Sequence, residues 1–199
     1  MATAITARPD TELFDDLYRM TVDEYERLVA AGVLDHPKIE LLGGYLVRKM
    51  GKKPKHSTRS ERLRRLLESG LPLPVGWHIR PEQPVKIPEY DEPEPDLAIV
   101  RGEVADYEDR HPEPADVALI VEVADSSLAR DQGSKRAAYA RGGIPVYWIV
   151  NLVDDQVEVY SEPGAEGYRR SQILKPGQEL TVVIGSTEVA RIAVAEVLH

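Results

Sequence analysis

The sequence predicts one α/β domain. Val117-Ala-Leu-Ile-Val-Glu-Val-Ala124 and Pro145-Val-Tyr-Trp-Ile-Val150 are almost wholly apolar, the pattern of strands buried on both faces. Between them a helical stretch, about 128–141, closes on Gly142-Gly143. Strand, helix, strand at this spacing is a βαβ-like unit, which makes the two strands parallel neighbours. No repeat or linker interrupts the rest, so residues 20–199 are expected as a single domain behind a polar, aperiodic N-terminal arm, 1–19.

Along the chain, Thr21-Val-Asp-Glu24 reads as a capping box, with Met20 and Tyr25 placed as a hydrophobic staple. Val22, Tyr25, Leu28 and Val29 then recur at helical spacing until Gly32 stops the helix. Glu40-Leu-Leu-Gly-Gly-Tyr-Leu-Val reads as a hairpin through its Gly43-Gly44 turn. Ser57 or Thr58 is a candidate cap for a second helix, with Leu63, Leu66 and Leu67 on one face and an end at Gly70. Pro81, Pro84, Pro88, Pro93 and Pro95 then allow only short extended pieces, 77–80, 83–87 and 96–100. Residues 101–115 are an acidic, polar surface excursion. After the βαβ-like unit the tail alternates short strands with turns at Pro163-Gly164 and Pro176-Gly177.

With 199 residues, 42% of them hydrophobic, the chain can bury a sizeable core. It has no apolar run long enough to cross a bilayer, so no membrane partner is expected. Cysteine is absent, which excludes disulfides and thiolate metal sites and fits a cytoplasmic location. Neither a His-Glu-x-x-His pattern, a Gly-rich phosphate loop nor a serine elbow occurs, so zinc-protease, kinase, dehydrogenase and hydrolase-triad chemistry lack support. The net charge is −9, yet between Arg48 and Arg65 nine Lys/Arg stand against Glu61 alone. Lys52, Lys53, Lys55, Arg59 and Arg62 could follow a phosphate backbone; the alternative is a solvated helix face.

Glu122 interrupts an apolar strand, where an unpaired carboxylate is costly, so either a cationic side chain or a metal must compensate it. Asp96 opens another apolar strand directly after Pro95. Alone it is a turn or cap residue; beside Glu122 it completes a two-carboxylate oxygen site suited to magnesium or manganese. Lys135 shares a helix face with Asp131 and Tyr139, and either reaches the carboxylates or pairs with Asp131. Glu40 is a candidate third acid. His56, at the start of the second helix, either holds a phosphate or is plain surface.

These segments, in this order, resemble the Uma-two-type restriction-endonuclease family of the PD-(D/E)XK superfamily. The resemblance rests on Glu40-Leu-Leu-Gly-Gly-Tyr-Leu-Val, His56 opening a helix, Pro95-Asp96-Leu-Ala-Ile-Val and Leu119-Ile-Val-Glu122-Val-Ala-Asp-Ser-Ser. Asp131-x-x-x-Lys135-x-x-x-Tyr139 and Gly143-Ile-Pro-Val-Tyr-Trp-Ile-Val complete it, so it spans about residues 20–160. It implies a restriction-endonuclease-like core, a central mixed β-sheet flanked by helices, with Mg2+ (or Mn2+) as cofactor, DNA as substrate and a homodimer as assembly. Asp96 and Glu122 would be the metal carboxylates and Glu40 the accessory acid. Ala124 stands where the superfamily usually has its lysine, and Lys135 from the next helix takes that role. The alternative reading is a catalytically silent nucleic-acid-binding or interaction protein on the same fold.

Overall fold

The computed structural model describes residues 17–34, 38–49, 51, 53–70 and 72–199. Most of the expected N-terminal arm, and Lys52, lie outside them. Helix α1 (Val22–Ala30) carries the capping box, with Thr21 and Glu24 each accepting from the other's backbone N–H. Met20 and Tyr25 join Val22 and Leu41 in one apolar cluster, as the staple requires. Strands β1 (Ile39–Leu42) and β2 (Tyr45–Arg48) form the expected hairpin. Gly43 and Gly44 both take positive φ, 61° and 85°, which a two-residue primed turn demands.

Helix α2 (Pro54–Gly70) begins before the expected Ser57/Thr58 cap. Pro54 at the first helical position has the required φ and lacks only an N–H that would be unbonded anyway. His56 therefore lies inside the first turn. Strand β3 (Trp77–Pro81) pairs antiparallel with β4 (Leu97–Arg101). Residues 83–87, expected as extended, form no strand: Val85 N–H goes to the Pro93 carbonyl, and Ile87 makes only an isolated bridge to Asp91. The 101–115 excursion contains a 3₁₀ turn whose Tyr107 is buried.

Strand β5 (Val117–Ala124) is buried at all eight positions. It pairs antiparallel with β4 and parallel with β6 (Val146–Asn151), as the apolar runs require. Between β5 and β6 the helix expected at about 128–141 is present but not uniform. It runs as α3 (Leu128–Arg130), a π-helical turn (Asp131–Lys135) and α4 (Arg136–Arg141). Gly133 and Ser134 favour α-helix weakly, and the turn is held open from the sheet. Tyr147 Oη donates to the Asp131 carbonyl at 3.1 Å and Gln132 Nε2 to Glu158 Oε1 at 2.8 Å.

Strands β7 (Gln156–Ser161) and β8 (Arg170–Leu174) extend the six-stranded mixed sheet in the order β3-β4-β5-β6-β7-β8. A separate pair, β9 (Glu179–Ile184) and β10 (Thr187–Ala193), leads into α5 (Val194–Leu198). One sheet face, with Leu97, Leu119, Val121 and Trp148, packs in a single cluster with Leu63 and Leu67 of α2 and with Leu180 and Val182 of β9. The other, with Ala98, Ile120 and Tyr147, packs with Tyr139 of α4. Alternation along β5 puts Glu122 on this second face, between Ile120 and Ala124.

A carboxyl outside that sheet makes the stability pH-dependent. Glu92 bonds through its N–H to the Leu41 carbonyl at 2.8 Å, and its buried Oε2 has no hydrogen-bond donor. Burial, with Glu26 beside it and Lys86 opposing, pushes its pKa up to about 8 from an ordinary 4.5. The folded state then holds a proton that the unfolded chain has released. Its contribution to stability is full below about 4.5 and is lost as pH rises through about 8. Relative to Glu92→Gln, the wild type should lose at most roughly 1.4 kcal/mol per pH unit across that window. Urea unfolding of both proteins at pH 5 and pH 8 checks this; a pH-independent difference would contradict it.

Candidate functional site

The β4–β5 register pairs Leu97 with Val121. Continued by one residue, it sets Asp96 opposite Glu122, and directly opposed residues share a sheet face. The first-turn histidine of α2, the β1 strand and the π turn converge on the same place. Together they enclose a cavity of about 60 Å³, lined among others by Glu40, His56, Asp96, Glu122, Asp131 and Lys135. Glu40, Asp96, Glu122 and Asp131 thus meet Lys135 at one end of the parallel strand pair.

The contacts are specific. Lys135 Nζ lies 2.7 Å from Glu122 Oε1, 3.4 Å from Glu40 Oε2 and 3.4 Å from the Glu94 carbonyl. Tyr139 Oη donates to the same Glu122 oxygen at 2.8 Å. Asp96 Oδ2 accepts the Val123 N–H at 2.8 Å and faces His56 Nε2 at 3.1 Å. Glu40, 2% exposed, accepts the Glu94 N–H at 3.3 Å and lies 3.5 Å from Arg130. Lys135 does not take up the alternative i,i+4 pairing: Asp131, 1% exposed, keeps a buried Oδ2 with no hydrogen-bond partner.

Burial raises the Glu122 pKa well above the carboxylate range, with Lys135 opposing it. Burial acts to lower that of Lys135, but Glu122, Glu40 and Asp131 outweigh it and hold the ammonium charged. Burial likewise raises Asp131, against Lys135 and a hydrogen bond from Ser127. Burial in the cavity thus works against the carboxylate charge of Glu122 and Asp131, and the Lys135 ammonium works to keep it.

The expected nucleic-acid contacts divide. Lys53 lines the cavity and pairs with Asp125 at 3.3 Å, while Lys55 Nζ reaches the Leu152 carbonyl at 3.4 Å. Arg59 donates to the His199 carbonyl, and Arg62 is exposed on α2. Arg64 and Arg65 are tied to Glu61, which removes part of the basic stripe. His56, 9% exposed, stands in the cavity wall against Asp96 rather than on that stripe. Lys49 and Arg130 also line the cavity; neither was singled out from sequence. Tyr139 and Asp131 were visible only as neighbours of Lys135 on one helix face, and the i,i+4 spacing was their signal.

Among the described residues no three His, Asp or Glu side chains are close enough to hold an ion by themselves. A cation here would need Asp96 and Glu122 supplemented by main-chain carbonyls or water. The residues fit such an ion through the chemistry of the donor set, which consists of hard carboxylate oxygens.

The six-stranded mixed sheet thus sets acids at one end of its parallel pair, beside a lysine on the adjoining helical segment. Residues 22–194 match the model of the Uma2 family, described as "Putative restriction endonuclease", and the chain belongs to that family. A crystal structure of a "putative nuclease belonging to DUF820" from Anabaena variabilis is similar in fold, with a TM-score of 0.62 at 13% identity. The match covers 90% of this chain and 97% of that one. No curated protein matches the chain. Among the described residues no helix is long and apolar enough to cross a membrane.

Proposed function

We propose that the protein is a Mg2+- or Mn2+-dependent endonuclease that hydrolyses phosphodiester bonds in DNA. The observation that carries this reading is the convergence of Glu40, Asp96, Glu122 and Lys135 on one cavity that Lys49, Lys53 and Arg130 also line. Asp96 and Glu122 would hold the ion, with Glu40 as the accessory acid. When bound, the ion supplies Lewis acidity, neutralising phosphate charge and lowering the pKa of water. Val123 N–H and His56 fix the Asp96 carboxylate; Tyr139 and Lys135 fix one oxygen of Glu122, leaving the other for the ion. Lys135 offsets the buried negative charge of Glu122 and Glu40. Lys53, just before α2, and Arg62, with Lys55 and Arg59 between them on α2, would guide the phosphate backbone. Cleavage of both strands would use two copies of the chain as a homodimer.

A second reading, a nucleic-acid-binding protein without turnover, is favoured by one observation: Lys135 and Tyr139 already close a buried network on Glu122. Incubation with plasmid, single-stranded DNA and RNA, in Mg2+, Mn2+ or chelator, separates the two. Cleavage only with metal supports the nuclease; salt-sensitive binding without cleavage in any metal supports the binder. The basic residues have their own test. Removing Lys53 and Arg62 together should weaken DNA binding uniformly across sequences and reduce the slope of log K against log[salt] by about one per lost phosphate contact. An unchanged slope would remove α2 from the interface.

A further inference from the structure

The ammonium of Lys135 has three N–H donors, and three acceptors surround it: Glu122 Oε1, Glu40 Oε2 and the Glu94 carbonyl. Two of its donors are committed to Glu122 and the Glu94 carbonyl, the third side faces Glu40 at 3.4 Å, and as a charged ammonium it cannot take a proton from a water. Lys135 therefore leaves open which group holds the attacking water and takes its proton.

The same cavity contains an unassigned candidate. Asp131 is 1% exposed, and its Oδ2 is buried without a hydrogen-bond partner. It sits at the first residue of the π turn that ends in Lys135. Such turns are rare and concentrate at functional sites. This one is braced by Tyr147 and, through Gln132, by Glu158, so the position of Asp131 is imposed by the sheet. A buried acceptor left without a donor is costly, more so when charged. A second buried atom without a partner belongs to another residue of the cavity wall. His56 Nε2 lies 3.1 Å from Asp96 Oδ2, and His56 Nδ1 is buried without a hydrogen-bond partner. Water donates two hydrogens, and a cavity of about 60 Å³ has room for it.

We propose that Asp131 is a further catalytic residue: its Oδ2 holds the attacking water and accepts its proton, while Lys135 acts as fixed charge. The inference rests on the nuclease reading above. In the step it describes, the water oxygen forms a new bond to phosphorus as one water O–H bond breaks and its proton passes to Asp131 Oδ2. The P–O bond to the leaving sugar oxygen breaks; that oxygen keeps the electron pair and takes a proton from solvent. Asp131 then returns its own proton to solvent, so one water is consumed per ester bond cleaved.

The test compares wild type, Asp131→Asn and Glu122→Gln on supercoiled plasmid, with Mn2+ binding followed by calorimetry. Asp131→Asn is expected to lower kcat by about a hundredfold or more, with KM and Mn2+ affinity changed by less than about threefold. Glu122→Gln should lose Mn2+ binding itself. Wild-type kcat in Asp131→Asn overturns the proposal, and so does collapse of Mn2+ affinity in that variant, which would make Asp131 a ligand. Asp131→Ser, smaller and uncharged, repeats the comparison should the amide disturb folding. If the wild type cleaves no nucleic acid, the nuclease reading fails on its own. The water site is then decided by a crystal structure: ordered solvent at Asp131 Oδ2 supports it, and its absence overturns it.

Discussion

Glu122→Gln is expected to abolish metal-dependent cleavage while leaving the protein folded. The amide keeps the shape and still offers an oxygen to Tyr139 and Lys135, which now hold Glu122 at 2.8 and 2.7 Å. What it removes is the negative charge that would bind a divalent cation opposite Asp96. Loss of a metal's Lewis acidity is worth several kcal/mol of barrier, so the rate should fall by roughly a thousandfold or more. The accompanying signature is thermal. Mg2+ or Mn2+ should raise the melting temperature of the wild type by mass action, and should not raise that of the variant. Cleavage and metal-induced stabilisation surviving together in Glu122→Gln would move the site elsewhere.

The second large effect concerns stability. Lys135→Met removes a buried cation that faces Glu122 and Glu40, both less than a twentieth exposed. Breaking a buried pair from one side costs about 3–5 kcal/mol because the remaining charge is left uncompensated. For a chain of this size that lowers the melting temperature by about 6–20 °C. Adding Glu122→Gln to Lys135→Met should recover a substantial part of the loss, since the orphaned charge is then gone. A double-mutant cycle by thermal melting measures this coupling. Additive effects would mean that the contact contributes nothing to folding.

These two variants separate roles that a single loss of activity would merge. The glutamate is expected to act on metal and rate, the lysine chiefly on the electrostatic balance of the cavity. That balance follows from position: Lys135 has no solvent in which to disperse its charge, and Glu122 has no other cation within contact distance among the described residues.

Much of this was legible without coordinates. The apolar runs 117–124 and 145–150 specified two buried parallel strands, because burial on both faces leaves no room for polar alternation. The Thr21–Glu24 box and the Gly43-Gly44 turn specified local geometry through bonds that span only a few residues. Glu122 and Asp96 stood out because acids beside unbroken apolar strands need an explanation. Only the tertiary structure decided what surrounds them. The β4–β5 register set Asp96 opposite Glu122, and burial of both sheet faces brought Glu40, His56 and the π turn to one cavity. The i,i+4 spacing equally allowed Lys135 to pair with Asp131; the π turn and the competing carboxylates sent it to Glu122 instead. Local sequence determines hydrogen bonds within a turn or cap. Which charges share a buried cavity depends on long-range packing, and that choice left Oδ2 of Asp131 without a hydrogen-bond partner.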